Sequence, residues 1–123
     1  MNLEKIIQSG HVLYLGLDSM PNPTVASTMA GIWLADLANI AGRRYNLGIS
    51  ALSSRRISPF IDEVSNVINV PLIEILNKGA ESGIQTTCAM QTIADLAHRM
   101  GSVEAAHVVL GNLNNLIALR TKD

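Results

Sequence analysis

Short apolar runs alternate with segments of helical period along this chain, and that alternation restricts the fold more than any other feature. Four runs are predicted to be strands, at residues 11–18, 57–64, 84–91 and 113–120. The first of them, HVLYLGLD, has almost no polar break, which is typical of a strand buried on both faces. Strands separated by helices predict an α/β class, with a mainly parallel sheet flanked by helices.

The segments between these runs carry helix signals. Asn22 suits an N-cap and Pro23 a first helical position, and apolar residues then recur at helical spacing to about residue 44. The string Asn46-Leu47-Gly48 is predicted to end this helix. Further helices are predicted at residues 71–78, at 92–100 with Gly101 as the stop, and from the cap Ser102 to about Leu110.

Composition and charge narrow the functional classes. The 123 residues are 48% hydrophobic and 15% charged, which supports one domain with an apolar core. A net charge of −1 gives no overall basic field for nucleic acid. No apolar run approaches the roughly 20 residues of a membrane span, and the N-terminal residues do not resemble a signal peptide. The single cysteine, Cys88, excludes an internal disulfide, so a cytoplasmic chain is predicted.

Polar residues stand where the predicted strands end. Asp62 and Glu63 close an apolar stretch, Gln91 closes the next run, and Asp18 closes the first. The carboxyl ends of parallel strands share one edge of a sheet, so three of these four groups are expected to converge there. Adjacent carboxylates suit nucleotide hydrolysis, in which one holds Mg²⁺ and the other orients water. Taken alone, however, the two acids fit a strand that ends in solvated carboxylates better than they fit a nucleotide site. Gln91, taken alone, likewise fits better an ordinary polar residue at a strand end.

Several strings, in order and spacing, resemble the TraD-type conjugative coupling proteins. They are VLYLGLD with PNP at 12–23, FIDEV at 60–64, QTIADLA at 91–97 and LGNLNNLIALR at 110–120. The resemblance covers nearly the whole chain. It implies a RecA-like P-loop fold, hexameric rings and ATP hydrolysis that pumps DNA into a type IV secretion channel. It also implies DNA, the relaxosome and the channel as partners, and an inner-membrane anchor in the full-length proteins.

The resemblance also implies roles for individual residues. Asp62 corresponds to the Walker B acid that holds Mg²⁺ through water, and Glu63 to the catalytic carboxylate. Gln91 corresponds to the sensor of the γ-phosphate. The cofactors of the full-length family are therefore Mg²⁺ and ATP.

Two departures from the family pattern bear on activity. No Gly-x-x-x-x-Gly-Lys-Ser/Thr string occurs, and Ala80 stands where the family usually has an arginine that reaches a neighbouring subunit. An arginine finger is worth about 10³–10⁵ in rate. Residues 1–123 therefore read as a partial RecA-like motor domain without the Walker A strand. We predict that the chain alone neither binds nor hydrolyses Mg²⁺–ATP.

Other predictions and alternatives stay open at this point. Without the Walker A strand the sheet is expected to have a gap, closed by residues 113–120 or by pairing with a second copy. Pro59 conflicts with the second strand because it has no N–H to donate. One alternative is a non-catalytic interaction protein that binds intact coupling subunits. Another is an unrelated small α/β protein in which the acids have no catalytic role.

Overall fold

The computed structural model describes residues 2–18, 20–48 and 55–119 and shows a mixed α/β chain that is mostly helical. Its elements, in order, are α1 (Leu3–Ser9), α2 (Pro23–Asn46), β1 (Phe60–Ile61), α3 (Val64–Val67), α4 (Val70–Lys78), a 3-10 helix (Gly79–Ser82), β2 (Thr87–Cys88), α5 (Ile93–Met100) and α6 (Val103–Gly111). Within the described ranges, no helix combines the length and the apolar character that crossing a membrane requires.

The predicted long helix is confirmed as α2. It begins at Pro23 and ends at Asn46, with Gly48 in the left-handed conformation beyond it. Asn22 is the N-cap residue, but its side chain makes no capping hydrogen bond; its backbone carbonyl accepts from the Ala26 N–H at 3.1 Å. The buried residues of the helix are Ala26, Ala30, Leu34, Leu37, Ile40 and Ala41. The last four of them belong to the hydrophobic core cluster.

The helices α4, α5 and α6 begin at side-chain caps, of which the Ser102 cap was predicted from the sequence. Asn69 accepts from the Leu72 N–H at 2.9 Å, Thr92 from Asp95 at 3.1 Å and Ser102 from Ala105 at 3.0 Å. Each cap satisfies one of the backbone donors that the first helical turn leaves without a partner. Gly101 ends α5 at a φ of 84°, a conformation that glycine adopts without steric strain.

The predicted sheet is much smaller than expected. β1 and β2 pair in parallel, with Phe60 opposite Thr87 and Ile61 opposite Cys88, and a single bridge joins Ile57 to Ile84. Pro59 lies between the bridge and β1. Its carbonyl accepts from the Thr87 N–H at 2.9 Å, but proline has no backbone N–H to donate to the neighbouring strand. The predicted strands at 57–64 and 84–91 are therefore reduced to short pairings.

Two predicted strands are wrong in the described part of the chain. Residues 11–18 and 113–119 have no regular secondary structure, and Arg120 lies outside the described residues. Val12 is 96% exposed and Ile117 84% exposed, the opposite of buried strands. A strand requires a neighbour for its N–H and C=O groups, and the described sheet contains only β1 and β2. Closure of the sheet by residues 113–119 is therefore not seen, and two strands do not establish a RecA-like fold.

The hydrophobic core lies between α2, α4, α5 and α6. Leu72 of α4 and Leu96 of α5 are fully buried at its centre, and Val64 joins it from α3. α5 packs against both α3 and α6, so the core fixes α5 beside the end of the sheet. This packing decides which side chains lie next to the predicted carboxylates.

Candidate functional site

Glu63 and Gln91 lie side by side at the carboxyl ends of the two paired strands. The Gln91 Nε2 donates to Glu63 Oε1 at 3.4 Å. The pairing of β1 with β2 produces this proximity, because both parallel strands end at the same edge. Asp18 instead accepts the backbone N–H of Met20 at 3.2 Å, within an exposed segment.

Glu63 has an unusual backbone conformation. Its φ of 48° and ψ of 51° are left-handed, and it is the one non-glycine residue with positive φ among the described residues. Its N–H donates to Asp62 Oδ1 at 2.9 Å, and its carbonyl accepts from the Asn66 N–H at 2.9 Å. The left-handed conformation costs a residue with a side chain about 1–2 kcal/mol. Such strain occurs where the surroundings hold a residue in place, often at functional sites.

Both carboxylate oxygens of Glu63 accept hydrogen bonds from amide side chains. Asn66 Nδ2 donates to Oε2 at 2.9 Å, and Gln91 Nε2 donates to Oε1. Asn66 lies on α3, three residues after Glu63, and is exposed. The acid is thus oriented from two sides, one on its own turn and one on the neighbouring strand end.

A cleft of about 350 Å³ opens beside this group. Its lining residues are Glu63, Ser65, Asn66, Gln91, Asp95, His98 and Arg99. Arg99 also donates to Ser27 Oγ at 3.3 Å, which ties α5 to α2 next to the cleft. Sequence analysis missed the contributions of α3 and α5 to this cleft. The contribution of α5 had a signal in the sequence, namely the helical spacing of Asp95, His98 and Arg99 soon after Gln91. This spacing places the three residues on the helix that follows the same strand end.

Comparison with known families bears directly on this region. The family model described as the TraM recognition site of TraD and TraG matches residues 56–123, more than half of the chain. The chain belongs to the TraD-type conjugative coupling protein family. No curated protein and no solved structure matches it.

The match to the coupling protein family covers β1, β2 and all residues that line the cleft. α1, α2 and the PNP string at 21–23 lie before it. The family assignment made from the sequence is therefore confirmed, whereas the roles of Asp62, Glu63 and Gln91 stay predictions.

The acids of this family member suit a Mg²⁺–nucleotide only in part. Asp62 and Glu63 are adjacent and exposed. Mg²⁺ commonly binds one or two carboxylates and completes its coordination with water and phosphate oxygens. Two adjacent acids can provide the carboxylates. Within the described ranges, no group of three or more acids, histidines or cysteines is placed to hold a metal. A role of Asp62 in holding Mg²⁺ beside phosphates stays a prediction.

The predicted role of Cys88 as a core residue is consistent with its position. It is partly buried in β2 and packs against the core. Desolvation by burial raises the pKa of its thiol above the ordinary value. The thiolate is the reactive form, so Cys88 is a poor nucleophile at neutral pH.

We expect Cys88 of the folded chain to react with iodoacetamide more slowly at pH 8 than Cys88 of the urea-unfolded chain. The raised pKa leaves less thiolate in the folded protein. The difference should shrink as the pH rises through the folded pKa. The buried neutral thiol contributes to the free energy of unfolding at pH values below its unfolded pKa. This contribution is lost as the pH rises through the folded pKa. Mass spectrometry of the alkylated chain measures both rates; equal rates at pH 8 would contradict the prediction.

Replacing Glu63 with glycine is expected to stabilise the fold. Glycine adopts a φ of 48° without the steric cost that Glu63 carries, so Glu63→Gly should raise the free energy of unfolding by about 1 kcal/mol. Glu74→Gly is the matched control. Glu74 lies in the interior of α4, where glycine should lower the free energy of unfolding by about 1 kcal/mol.

Urea unfolding followed by circular dichroism measures both changes. Opposite signs for the two glycine variants are the expected result. If Glu63→Gly were less stable than Glu63→Ala, which loses the same carboxylate hydrogen bonds, the left-handed conformation at residue 63 would not be a source of strain.

Proposed function

We propose that this chain is part of the ATP-driven motor of a conjugative coupling protein, in which Glu63 orients the attacking water and Gln91 responds to the γ-phosphate. The observation that carries the proposal is the hydrogen bond between Gln91 Nε2 and Glu63 Oε1 at the shared end of two parallel strands. Phosphoryl transfer depends on such placement of a carboxylate and a polar sensor next to the phosphates. The family membership of the chain supports the same role.

The two side chains have complementary tasks in this proposal. The Glu63 carboxylate accepts a hydrogen bond from water and takes its proton as the water oxygen bonds to the γ-phosphorus and the bond from that phosphorus to the leaving ADP oxygen breaks. Gln91 holds one oxygen of Glu63 until its amide turns towards another acceptor. Asp62 lies on the Mg²⁺ side. Because the Gln91 amide contacts the carboxylate, a change at Gln91 reaches Glu63 without movement of the backbone.

Two groups that ATP hydrolysis commonly uses do not occur in the given sequence. The sequence has no Gly-x-x-x-x-Gly-Lys-Ser/Thr cradle for phosphates, and Ala80 replaces the expected arginine. We therefore propose that residues 1–123 hydrolyse ATP only together with a phosphate-binding segment and a neighbouring subunit. DNA translocation through a hexameric ring towards a secretion channel is part of the same proposal.

Gln91→Ala tests the role of the sensor. In a coupling protein that carries residues 1–123, loss of a hydrogen bond to a charged group, about 1.5–3 kcal/mol, should lower DNA-stimulated hydrolysis by about 10–100-fold. Gln85→Ala is the matched control, because Gln85 precedes β2 and is exposed away from the cleft lining. Steady-state phosphate release measures both variants. Equal activity of Gln91→Ala and Gln85→Ala would refute the sensor role.

A second function is favoured by a different observation. The matched family model is described as a TraM recognition site, and in the described part of the matched range, exposed apolar side chains follow α6 at Leu116, Ile117 and Leu119. Exposed apolar clusters of this kind mark sites of protein interaction. We propose that this segment binds a protein partner, either a TraM-type relaxosome protein or an intact coupling subunit.

Pull-down distinguishes the two partners. Purified TraM and purified full-length coupling protein are each offered to the immobilised chain and to its Ile117→Ser variant. Val12→Ser is the control, since Val12 is also an exposed aliphatic residue but lies outside the matched range. Retention that Ile117→Ser abolishes and Val12→Ser preserves identifies the partner; no retention of either protein refutes the interaction.

A further inference from the structure

Asn66 binds Glu63 through both its side chain and its backbone. The side-chain Nδ2 donates to Glu63 Oε2 at 2.9 Å, and the backbone N–H donates to the Glu63 carbonyl at 2.9 Å. The bond from Gln91 to the other carboxylate oxygen is longer, at 3.4 Å. Asn66 is therefore the closer of the two amides that hold this acid.

The turn around residue 63 separates the two neighbouring acids. Glu63 lines the cleft together with Asn66 and Gln91, whereas Asp62 is not part of the lining. The Asp62 carboxylate instead accepts the Glu63 N–H at 2.9 Å. Val64, the next residue, is anchored by its N–H to the Ala89 carbonyl at 2.9 Å and is buried. The left-handed residue is thus fixed on both sides, and Asn66 holds the end of its side chain.

We propose that Asn66 is a positioning residue that keeps the Glu63 carboxylate in the cleft while Gln91 changes partner. This inference rests on the proposed function. A carboxylate held by a single amide would lose its orientation each time Gln91 turned away. Asn66 holds the opposite oxygen, so Glu63 keeps its place when the bond to Gln91 opens. Asn66 is the constant anchor of the acid and Gln91 the variable one.

Two substitutions at residue 66 separate positioning from packing. Asn66→Ala removes the donor, whereas Asn66→Asp keeps the shape but places a second carboxylate against Glu63, which like charges disfavour. In the coupling protein that carries residues 1–123, kcat should fall about tenfold for Asn66→Ala and further for Asn66→Asp, with KM unchanged. Asn77→Asp, on the exposed side of α4, is the control and should leave kcat unchanged.

The kcat values of Asn66→Ala and Asn66→Asp, relative to each other and to the parent, test the inference. If Asn66 only fills space, the isosteric Asn66→Asp should be as active as the parent, and that outcome overturns the inference. A defect in Glu63→Gln without one in either Asn66 variant also overturns it, and leaves the proposed function intact. If Glu63→Gln itself has no effect on kcat, the proposed function fails and this inference fails with it.

NMR of the free 123-residue chain tests the contact itself without any nucleotide. The side-chain amide protons of Asn66 should shift when Glu63 is replaced by alanine, because their acceptor is lost. The amide protons of Asn77 should not shift. Unchanged Asn66 signals in Glu63→Ala would show that the contact is absent and would overturn the inference, even if the kinetic variants failed to fold.

Discussion

Leu96→Ala is expected to lower the free energy of unfolding of this chain by about 2–5 kcal/mol, the largest stability effect of any single substitution proposed for it. Leu96 is fully buried, at 0% exposure, in the core between α5 and its neighbours. Removing its branched side chain loses apolar burial and leaves a cavity that close-packed neighbours fill only partly.

The effect of Leu96→Ala should extend to the cleft. Leu96 anchors α5, the helix that carries Asp95, His98 and Arg99 to the cleft wall. Leu116→Ala is the control, because Leu116 is 75% exposed and its loss should change stability by no more than about 0.5 kcal/mol. Urea unfolding measures both variants. A loss below about 1 kcal/mol for Leu96→Ala would mean that α5 is not held by this core.

Glu63→Gln is expected to lower ATP hydrolysis by about 10²–10⁴-fold in a coupling protein that carries residues 1–123, the contribution typical of a general base. Glutamine has nearly the same shape as glutamate and retains one oxygen acceptor, but it cannot take a proton at neutral pH. Nucleotide affinity should change little, so kcat should fall while KM stays within a few-fold.

The matched control for this prediction is Glu74→Gln. Glu74 is an exposed acid on α4 that forms a surface ion pair with Lys78 at 3.0 Å, outside the cleft lining. Its loss should leave hydrolysis unchanged, because surface pairs contribute about 0–1 kcal/mol. If Glu63→Gln retained more than about a third of the parent activity, a general-base role for Glu63 would be excluded.

The two effects expected at Glu63 oppose each other. Glycine at this position should stabilise the fold, while loss of the carboxylate should remove activity. A residue that is conformationally unfavourable but chemically needed is the pattern expected at a functional site. Measuring both properties on the same variants therefore tests the assignment of the site more strictly than either measurement alone.

The helices of this chain could be predicted because their signals are local. Pro23 at the start of α2, Ser102 before α6 and Gly101 after α5 act within a few residues of themselves. Caps and periodicity describe one segment, so they require no knowledge of its neighbours. The helix α1 was not predicted. The helix α3 was also missed, because Val64 was taken as the end of an apolar strand, whereas the left-handed turn at Glu63 redirects the chain there.

The strands were overpredicted for the opposite reason. An apolar run such as residues 11–18 is compatible with a buried strand, but whether it becomes one depends on a partner elsewhere. In the described residues only β1 and β2 pair as strands, and Pro59 shortens that pairing. Sequence periodicity does not contain this information.

The sequence by itself determined the family of this protein, because ordered strings along the chain carry the resemblance. It also determined the positions of the main helices and the adjacent acids Asp62 and Glu63, because each of these depends on residues close together in the chain. The tertiary structure decided which groups meet. Parallel pairing of β1 with β2 brings Gln91, 28 residues away, to Glu63, and core packing of α5 places His98 and Arg99 in the same cleft. The turn at residue 63 brings Asn66 to the carboxylate, a contact that follows from a left-handed backbone that no local propensity of glutamate predicts.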